Sequence, residues 1–249
     1  MIAEAALARV KIVLVEPAGE LNVGSIARAM KNMGLRNLIL VNPQCDRLSD
    51  AARQMAVHAI DILENATIVD SLPAALQGCQ RAIATTARTR SHDVPLEDPR
   101  TTLPWLLAAP SALIFGREDR GLNNLELSYA QRCIRIPSHP DYPSLNLAQA
   151  VGICCYELYC SREAIALHPE PVIEVANLEV LEGYYQHLEA VLLKIGYLHP
   201  HTAASRMEKF RSLFHRANLS AAEVALLRGI LRQMEWAKRE EIDNGSKTT

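Results

Sequence analysis

At 249 residues, with 49% hydrophobic and 22% charged residues and a formal net charge of −2, the chain is sized for one large domain, or for a medium domain with a smaller companion. The near-neutral balance gives no general attraction for nucleic acid, so any RNA-binding surface has to be local. No apolar run approaches the roughly 20 residues of a membrane helix, and the cysteines at 45, 79, 133, 154, 155 and 160 form no CxxC pair, which argues against a zinc site and for reduced, mostly buried thiols in a cytoplasmic protein.

The opening MIAEAALARVKIVLVEP has an early acidic residue and runs straight into a strand-like segment, so no signal peptide is expected. VKIVLVE, from Val10 to Glu16, is β-branched and apolar, the pattern of a buried strand, and Pro17 stops it. AGELNVGSIARAMKNMG then supplies a glycine-bearing loop and a helix with Ile26, Ala29, Met30 and Met33 on one face, closed by Gly34. A second buried strand, NLILVNP, spans 37–43. Helix and strand go on alternating: a helix over 50–60, a strand over 66–69, a helix from Ser71 to Gly78, and a strand over 81–85. After a proline-punctuated connection come a helix around Trp105, the strand 111–116, a short helix near Asn123 and the strand 133–136. This order predicts an α/β fold, a mostly parallel sheet flanked by helices, with ligands gathering at the carboxyl ends of the strands.

IPSHPDYPSLNLAQAVGICCYEL, from Ile136 to Leu158, opens with Pro137, Pro140 and Pro143 and so begins as a loop. From Ser144 onward it is apolar on nearly every turn, which predicts a buried helix capped by Ser144 with Asn146 facing solvent in the first turn. HPEP at 168–171 reads as a linker. Beyond it no strand is convincing. Amphipathic helices are expected over 174–195 and 203–214, and a third from Ser220, where Ser220 and Glu223 have capping-box spacing. The expected division is thus 1–168 and a helical extension 172–249, with DNGSKTT as a disordered tail. Arg206, Lys209, Arg211, Arg216, Arg228, Arg232, Lys238 and Arg239 make this extension locally basic.

Three loops at strand ends carry unusual residues. NVGSIAR, from Asn22 to Arg28, has Gly24 for close backbone approach and an arginine whose planar fork suits a phosphate or a developing oxyanion. In FGREDRGLNNLE, from Phe115 to Glu126, Gly116 ends a strand and Glu118 and Asp119 are adjacent. Neighbouring loop carboxylates generally point apart and keep ordinary pKa values, so they are not read as an acid–base pair. The third loop is the proline stretch with Asn146. No GxGxxG follows a strand and no GxxxxGK[ST] loop occurs, so the usual dinucleotide and triphosphate fingerprints are missing.

With NVGSIAR, LIFGREDRGL and IPSHPDYPSLNLAQAVGICCYEL in this order on successive strand ends, the chain resembles the SpoU branch of the SPOUT RNA methyltransferases over residues 10 to 163. TTARTR at 85–90 and the helical extension narrow the resemblance to the TrmJ type. The resemblance implies a trefoil knot at the C-terminal end of the sheet, a homodimer, and S-adenosylmethionine held by Thr85, Thr86, Ala87, Gly116, Ile136, Ser144, Leu145 and Asn146. It implies methyl transfer to a ribose 2′-hydroxyl of tRNA at the start of the anticodon loop, with Arg28 as the catalytic arginine and Asn22, Glu118 and Asn146 shaping the site. Arg28, Arg88 and Arg90 would contact RNA, and neither a metal nor a membrane is called for. A ribosomal RNA target, a catalytically inactive RNA-binding relative and a nucleotide-dependent α/β enzyme stay open as alternatives.

Overall fold

The computed structural model describes residues 2–87, 95–167 and 175–245. The chain separates into two compact units, Met1–Val172 and Ile173–Thr249.

Among the described residues of the first unit, seven strands form one sheet: β1 (Val10–Val15), β2 (Asn37–Val41), β3 (Thr67–Val69), β4 (Arg81–Thr85), β5 (Leu96–Glu97), β6 (Ser111–Phe115) and β7 (Arg132–Ile134). They lie in the order β3-β2-β1-β6-β4-β7-β5, and every pairing is parallel. Parallel strands need crossovers, and helices supply them: α1 (Ile2–Leu7), α2 (Glu20–Asn32), α3 (Asp50–Ala56), α4 (Ile60–Glu64), α5 (Leu72–Ala75), α6 (Pro99–Thr102), α7 (Asn124–Ser128) and α8 (Leu147–Leu167). The interior strand β6 is buried at all five positions and β1 at five of six, as expected for a sheet covered on both faces. The second unit consists of α9 (Leu178–Lys194), α10 (Pro200–Ala217) and α11 (Ala221–Gly245).

The α/β alternation read from the sequence is present, with three corrections. The opening segment does not run directly into β1, because Ile2–Leu7 forms a helix that buries Ala6 and Leu7. The proline-punctuated connection contains β5, a two-residue strand on the outer edge of β7. In the second unit, α11 continues through Gly245, so the start of the expected tail is helical. The capping box at Ser220 is as expected: its backbone NH and hydroxyl both meet Glu223 Oε2 at 2.8 Å. The linker read at 168–171 lies outside the described residues.

Gly24 has a local reason. A Cβ there would stand 2.2 Å from the Ala52 carbonyl oxygen, so the close approach it permits is that of α3 against α2. All six cysteines are free, and four are buried. Burial pushes the Cys133 thiol up to about 11 and Cys155 up to about 12, which keeps both as inert thiols.

Candidate active site

The ends of β4, β6 and β7 and the loop entering α8 enclose a cavity of about 780 Å³, within the roughly 300–1,000 Å³ range of small-molecule sites. Thr85, Thr86 and Ala87 line it from the end of β4, Gly116 from the end of β6, Ile136 from beyond β7, and Ser144 and Leu145 from the proline loop. Thr85 is fixed by its hydroxyl donating to the Ile114 carbonyl at 3.0 Å, and the Thr86 NH donates to Ile134 O at 3.1 Å. Gly116 is required by the fold of its own loop. A Cβ would lie 2.3 Å from both Gly121 C and Leu122 N, where the chain doubles back through the Arg117–Gly121 bridge and the left-handed Gly121 (φ +64°).

Arg117 holds this hairpin down. Its Nε donates to Glu16 and its Nη1 to both Glu126 carboxylate oxygens, at 2.9 and 3.0 Å. The Glu16 contact, followed by Glu126, raises its pKa. Glu126 serves twice, since it also completes the capping box of α7 with Asn123. The second motif is therefore tied both to the end of β1 and to the next helix.

Beside the cavity runs a chain of polar side chains that joins all three motifs. The Glu118 carboxylate accepts from the backbone NH of Ala18 (3.1 Å) and Gly19 (3.0 Å) and from Asn22 Nδ2 (3.2 Å). Asn22 Oδ1 in turn accepts from Asn146 Nδ2 at 3.0 Å, and Asn146 Oδ1 accepts from the NH groups of Ala148 (2.9 Å) and Gln149 (3.3 Å). Both amides are oriented without ambiguity: the ionised carboxylate only accepts and the helix NH groups only donate, so Asn22 points its nitrogen at Glu118 and Asn146 points its nitrogen at Asn22. Asn146, not Ser144, is thus the cap of α8, and it does not merely face solvent. An amide caps and donates at once, whereas a hydroxyl at 144 lies too early for a helix that starts at Leu147.

The ordinary pKa expected for Glu118 is also corrected. Partial burial pushes it up, but the Ala18, Gly19 and Asn22 hydrogen bonds together hold it below 4.5.

Of the expected site residues, Thr85, Thr86, Ala87, Gly116, Ile136, Ser144, Leu145 and Glu118 are on the cavity wall. Asn146 sits between two lining residues, Leu145 and Leu147, but is not itself part of the wall; Asn22 is held beside it. Arg28 is exposed on α2, away from the wall, and has no hydrogen bond or ion pair among the described residues. Arg88 and Arg90 lie outside the described residues. Several wall residues were not among the expected site residues, Leu122, Arg135 and Ala150 among them. Leu122 closes the second motif, and Arg135 sits between β7 and the proline loop, where its only sequence signal was adjacency to Ile136. Among the described residues no three metal-ligating side chains group together, and no helix is long and apolar enough to cross a membrane.

A parallel α/β sheet whose strand-end loops meet over one cavity, followed by a helical unit, is the architecture of a SpoU-type methylase. Residues 9–156 match the model of the SpoU rRNA Methylase family, and residues 179–244 match that of the tRNA methyltransferase TrmJ C-terminal domain. The chain belongs to the SpoU methylase family and, within it, to the TrmJ tRNA methyltransferases. It is 42% identical over 236 residues to the tRNA (cytidine/uridine-2′-O-)-methyltransferase TrmJ of Pectobacterium atrosepticum, covering 92% of this chain and 98% of that one. It is 40% identical over 248 residues to the tRNA (cytidine/uridine/adenosine-2′-O-)-methyltransferase TrmJ of Pseudomonas aeruginosa, covering 94% and 96%. The crystal structure of TrmJ from Z. mobilis superposes with a TM-score of 0.81 at 31% identity, over 90% of this chain and 98% of that one.

Proposed function

We propose that the chain is an S-adenosylmethionine-dependent tRNA methyltransferase acting on a ribose 2′-hydroxyl, with a cytidine or uridine at the start of the anticodon loop as target. The observation that carries this reading is the Glu118–Asn22–Asn146 chain, which ties three separate motif loops into one structure beside the cavity. The cavity suits an adenosyl ligand. Its wall mixes apolar surface from Ile136, Leu122 and Ala150 with backbone and hydroxyl groups of Thr86, Gly116 and Ser144, as a flat heterocycle with a ribose demands. Thr85, Thr86, Ala87, Gly116, Ile136, Ser144, Leu145 and Asn146 would hold it.

When bound, the cofactor supplies a methyl group already activated on a sulfonium. The protein's task is then alignment of the attacking hydroxyl and help with its proton. A guanidinium is no general base, and Arg28 is not assigned that role. Its role is to grip the RNA phosphate and stabilise the alkoxide as it develops, with the proton leaving to phosphate oxygen or water. Glu118 and Asn22 orient Asn146, which stands between the cofactor pocket and the substrate.

Arg28 reaches this chemistry as part of a homodimer, contributed from one subunit to the site of the other. Exposed Leu21 on α2 and Ile153 and Tyr156 on α8 support such an interface, because these two helices pack side by side. We read the return of the chain from β7 through the proline loop onto α1 and α2 as the family's trefoil knot, and the cytoplasm as the site of action. Arg88 and Arg90 remain RNA-contact proposals on sequence grounds.

The test is to incubate the protein with methyl-labelled cofactor and tRNA transcripts and to map the 2′-O-methylated nucleotide. Label at the first anticodon-loop nucleotide is expected. Transfer to ribosomal RNA alone would replace this reading with the alternative target. Because one of the two relatives above is named for cytidine and uridine and the other for adenosine as well, transcripts with each of the four bases at that position belong in the same experiment.

A further inference from the structure

The basic residues of the second unit are not one surface. Arg211 is 6% exposed; it makes a bidentate pair with Glu182 and stacks 4.6 Å from the centre of the Tyr185 ring. Arg206 donates to the Tyr197 carbonyl at 3.0 Å and lies over that ring. Both are part of the helix packing, and neither belongs to a free basic face.

Arg228 and Arg232 are different. They stand one turn apart on α11 and together border a cavity of about 360 Å³ between α9 and α11, whose remaining wall includes Val180, His187 and Ala225. Neither arginine forms an ion pair with a carboxylate among the described residues. Glu235, on the next turn, is engaged by His187 at 3.3 Å. Arg228 reaches α9 beside Gly183, its Nη1 3.9 Å from where a Cβ at that position would stand, an ordinary contact distance. Small side chains at 221 and 225 leave the hollow open. Two like charges four residues apart repel each other on a helix, and the repulsion is relieved by an anion that both forks can grip.

We propose that this hollow is a phosphate site for the RNA backbone of the substrate, with one phosphodiester bridged by Arg228 and Arg232. The proposal rests on the tRNA-methylating reading above, and names a specific contact for it on the helical unit. The shared chemistry is a phosphate oxyanion, and the choice of RNA over free phosphate follows from an open, exposed hollow bordered by uncompensated positive charge.

The experiment uses the full-length protein and measures tRNA affinity at several salt concentrations. The substitutions are Arg228→Gln with Arg232→Gln, Ala225→Glu, and, as a control for charge alone, Arg36→Gln at the exposed position just before the other unit's β2. Loss of one bridged phosphate should reduce the slope of log affinity against log salt by about 0.7–0.9 and weaken binding roughly 10-fold in moderate salt. Ala225→Glu, which keeps both arginines but supplies them with a carboxylate, should do the same. It gives the answer should the double substitution unfold. A wild-type slope in both cradle variants, or an equal loss in Arg36→Gln, overturns the proposal. Thermal stabilisation by inorganic phosphate that the double variant lacks, together with an unchanged tRNA slope, also overturns it in favour of a free anion. If the wild-type protein methylates no tRNA at all, the functional reading fails instead, whatever the slopes show.

Discussion

Asn146 Nδ2 donates to Asn22 Oδ1 at 3.0 Å, and this single bond joins the start of α8 to the first turn of α2, 124 residues apart in the chain. The same Asn146 side chain caps α8 through its oxygen. Its two functions are separable by chemistry. Asn146→Asp keeps an oxygen for the helix NH groups but has nothing to donate, and it faces an Asn22 oxygen held in place by Glu118. Stability should stay near wild type while methyl transfer falls by about 10²-fold, the order expected for losing a positioned polar group. Asn146→Ala should lose the cap as well, at about 0.5–2 kcal/mol. Thermal melts alongside single-turnover rates distinguish the two, and equal melts for Asp and Ala would refute the capping role.

Glu118 and Glu16 both titrate below their ordinary value of 4.5, Glu16 through its hydrogen bond to Arg117 and Glu118 through the hydrogen bonds that outweigh its partial burial. A carboxylate whose folded pKa is depressed adds stability above its unfolded pKa and loses it as pH falls through the folded one. Stability should therefore be flat above about pH 5 and decline below 4.5. Because Glu118 is exposed, its share is small. Glu118→Gln should flatten part of that decline in acid denaturation curves, and a variant with an identical acid limb would remove Glu118 from the account.

Arg28→Ala should reduce turnover by about 10²–10³-fold with cofactor affinity by calorimetry nearly unchanged, since Arg28 is off the cavity wall. The dimer reading adds a sharper test. Ser144→Trp, placed on the wall, should block the cofactor. Mixing Arg28→Ala and Ser144→Trp chains after unfolding and refolding should restore about a quarter of wild-type activity, because half the dimers then carry one intact composite site. No recovery on mixing would place Arg28 in its own subunit's site.

Gly24→Ala should cost about 1–3 kcal/mol, as the new methyl meets the Ala52 carbonyl at 2.2 Å and backbone must shift. Denaturant midpoints measure this. Cofactor binding by the folded fraction should be normal, because the glycine serves the α2–α3 contact and no ligand.

Arg211→Met should destabilise the second unit by about 3 kcal/mol, the effect of removing the charge partner of a mostly buried Glu182 and leaving it only the Gln186 amide. Combining it with Glu182→Leu should recover most of that loss. A double variant no better than the single one would mean that the stacking on Tyr185 is the main contribution.

The strands and the motif loops were legible because both obey local rules: β-branched runs for the sheet, and glycine, proline and polar clusters for its C-terminal rim. What escaped was set by tertiary partners. Ser144 is as good a cap by composition as Asn146, and what distinguishes them is where α8 begins, at Leu147, together with the Asn22 oxygen that takes the remaining Asn146 donor. Arg211 looks like a solvated helix charge in sequence, since nothing local announces that Glu182 and Tyr185 enclose it. Arg135 gave little signal because the cavity it lines is closed by residues of other segments, Gly116 and Ser144 among them. Leu96–Glu97 is too short to show a period, and pairs only because β7 offers an open edge.

The placement of β6 between β1 and β4 has a bearing on biosynthesis. A ribosome delivers β1 and β4 first, yet neither neighbours the other; the seat between them stays empty until residues 111–115 have been made. Closure of the sheet therefore waits on a late-made central strand, and refolding after release from denaturant should be slow.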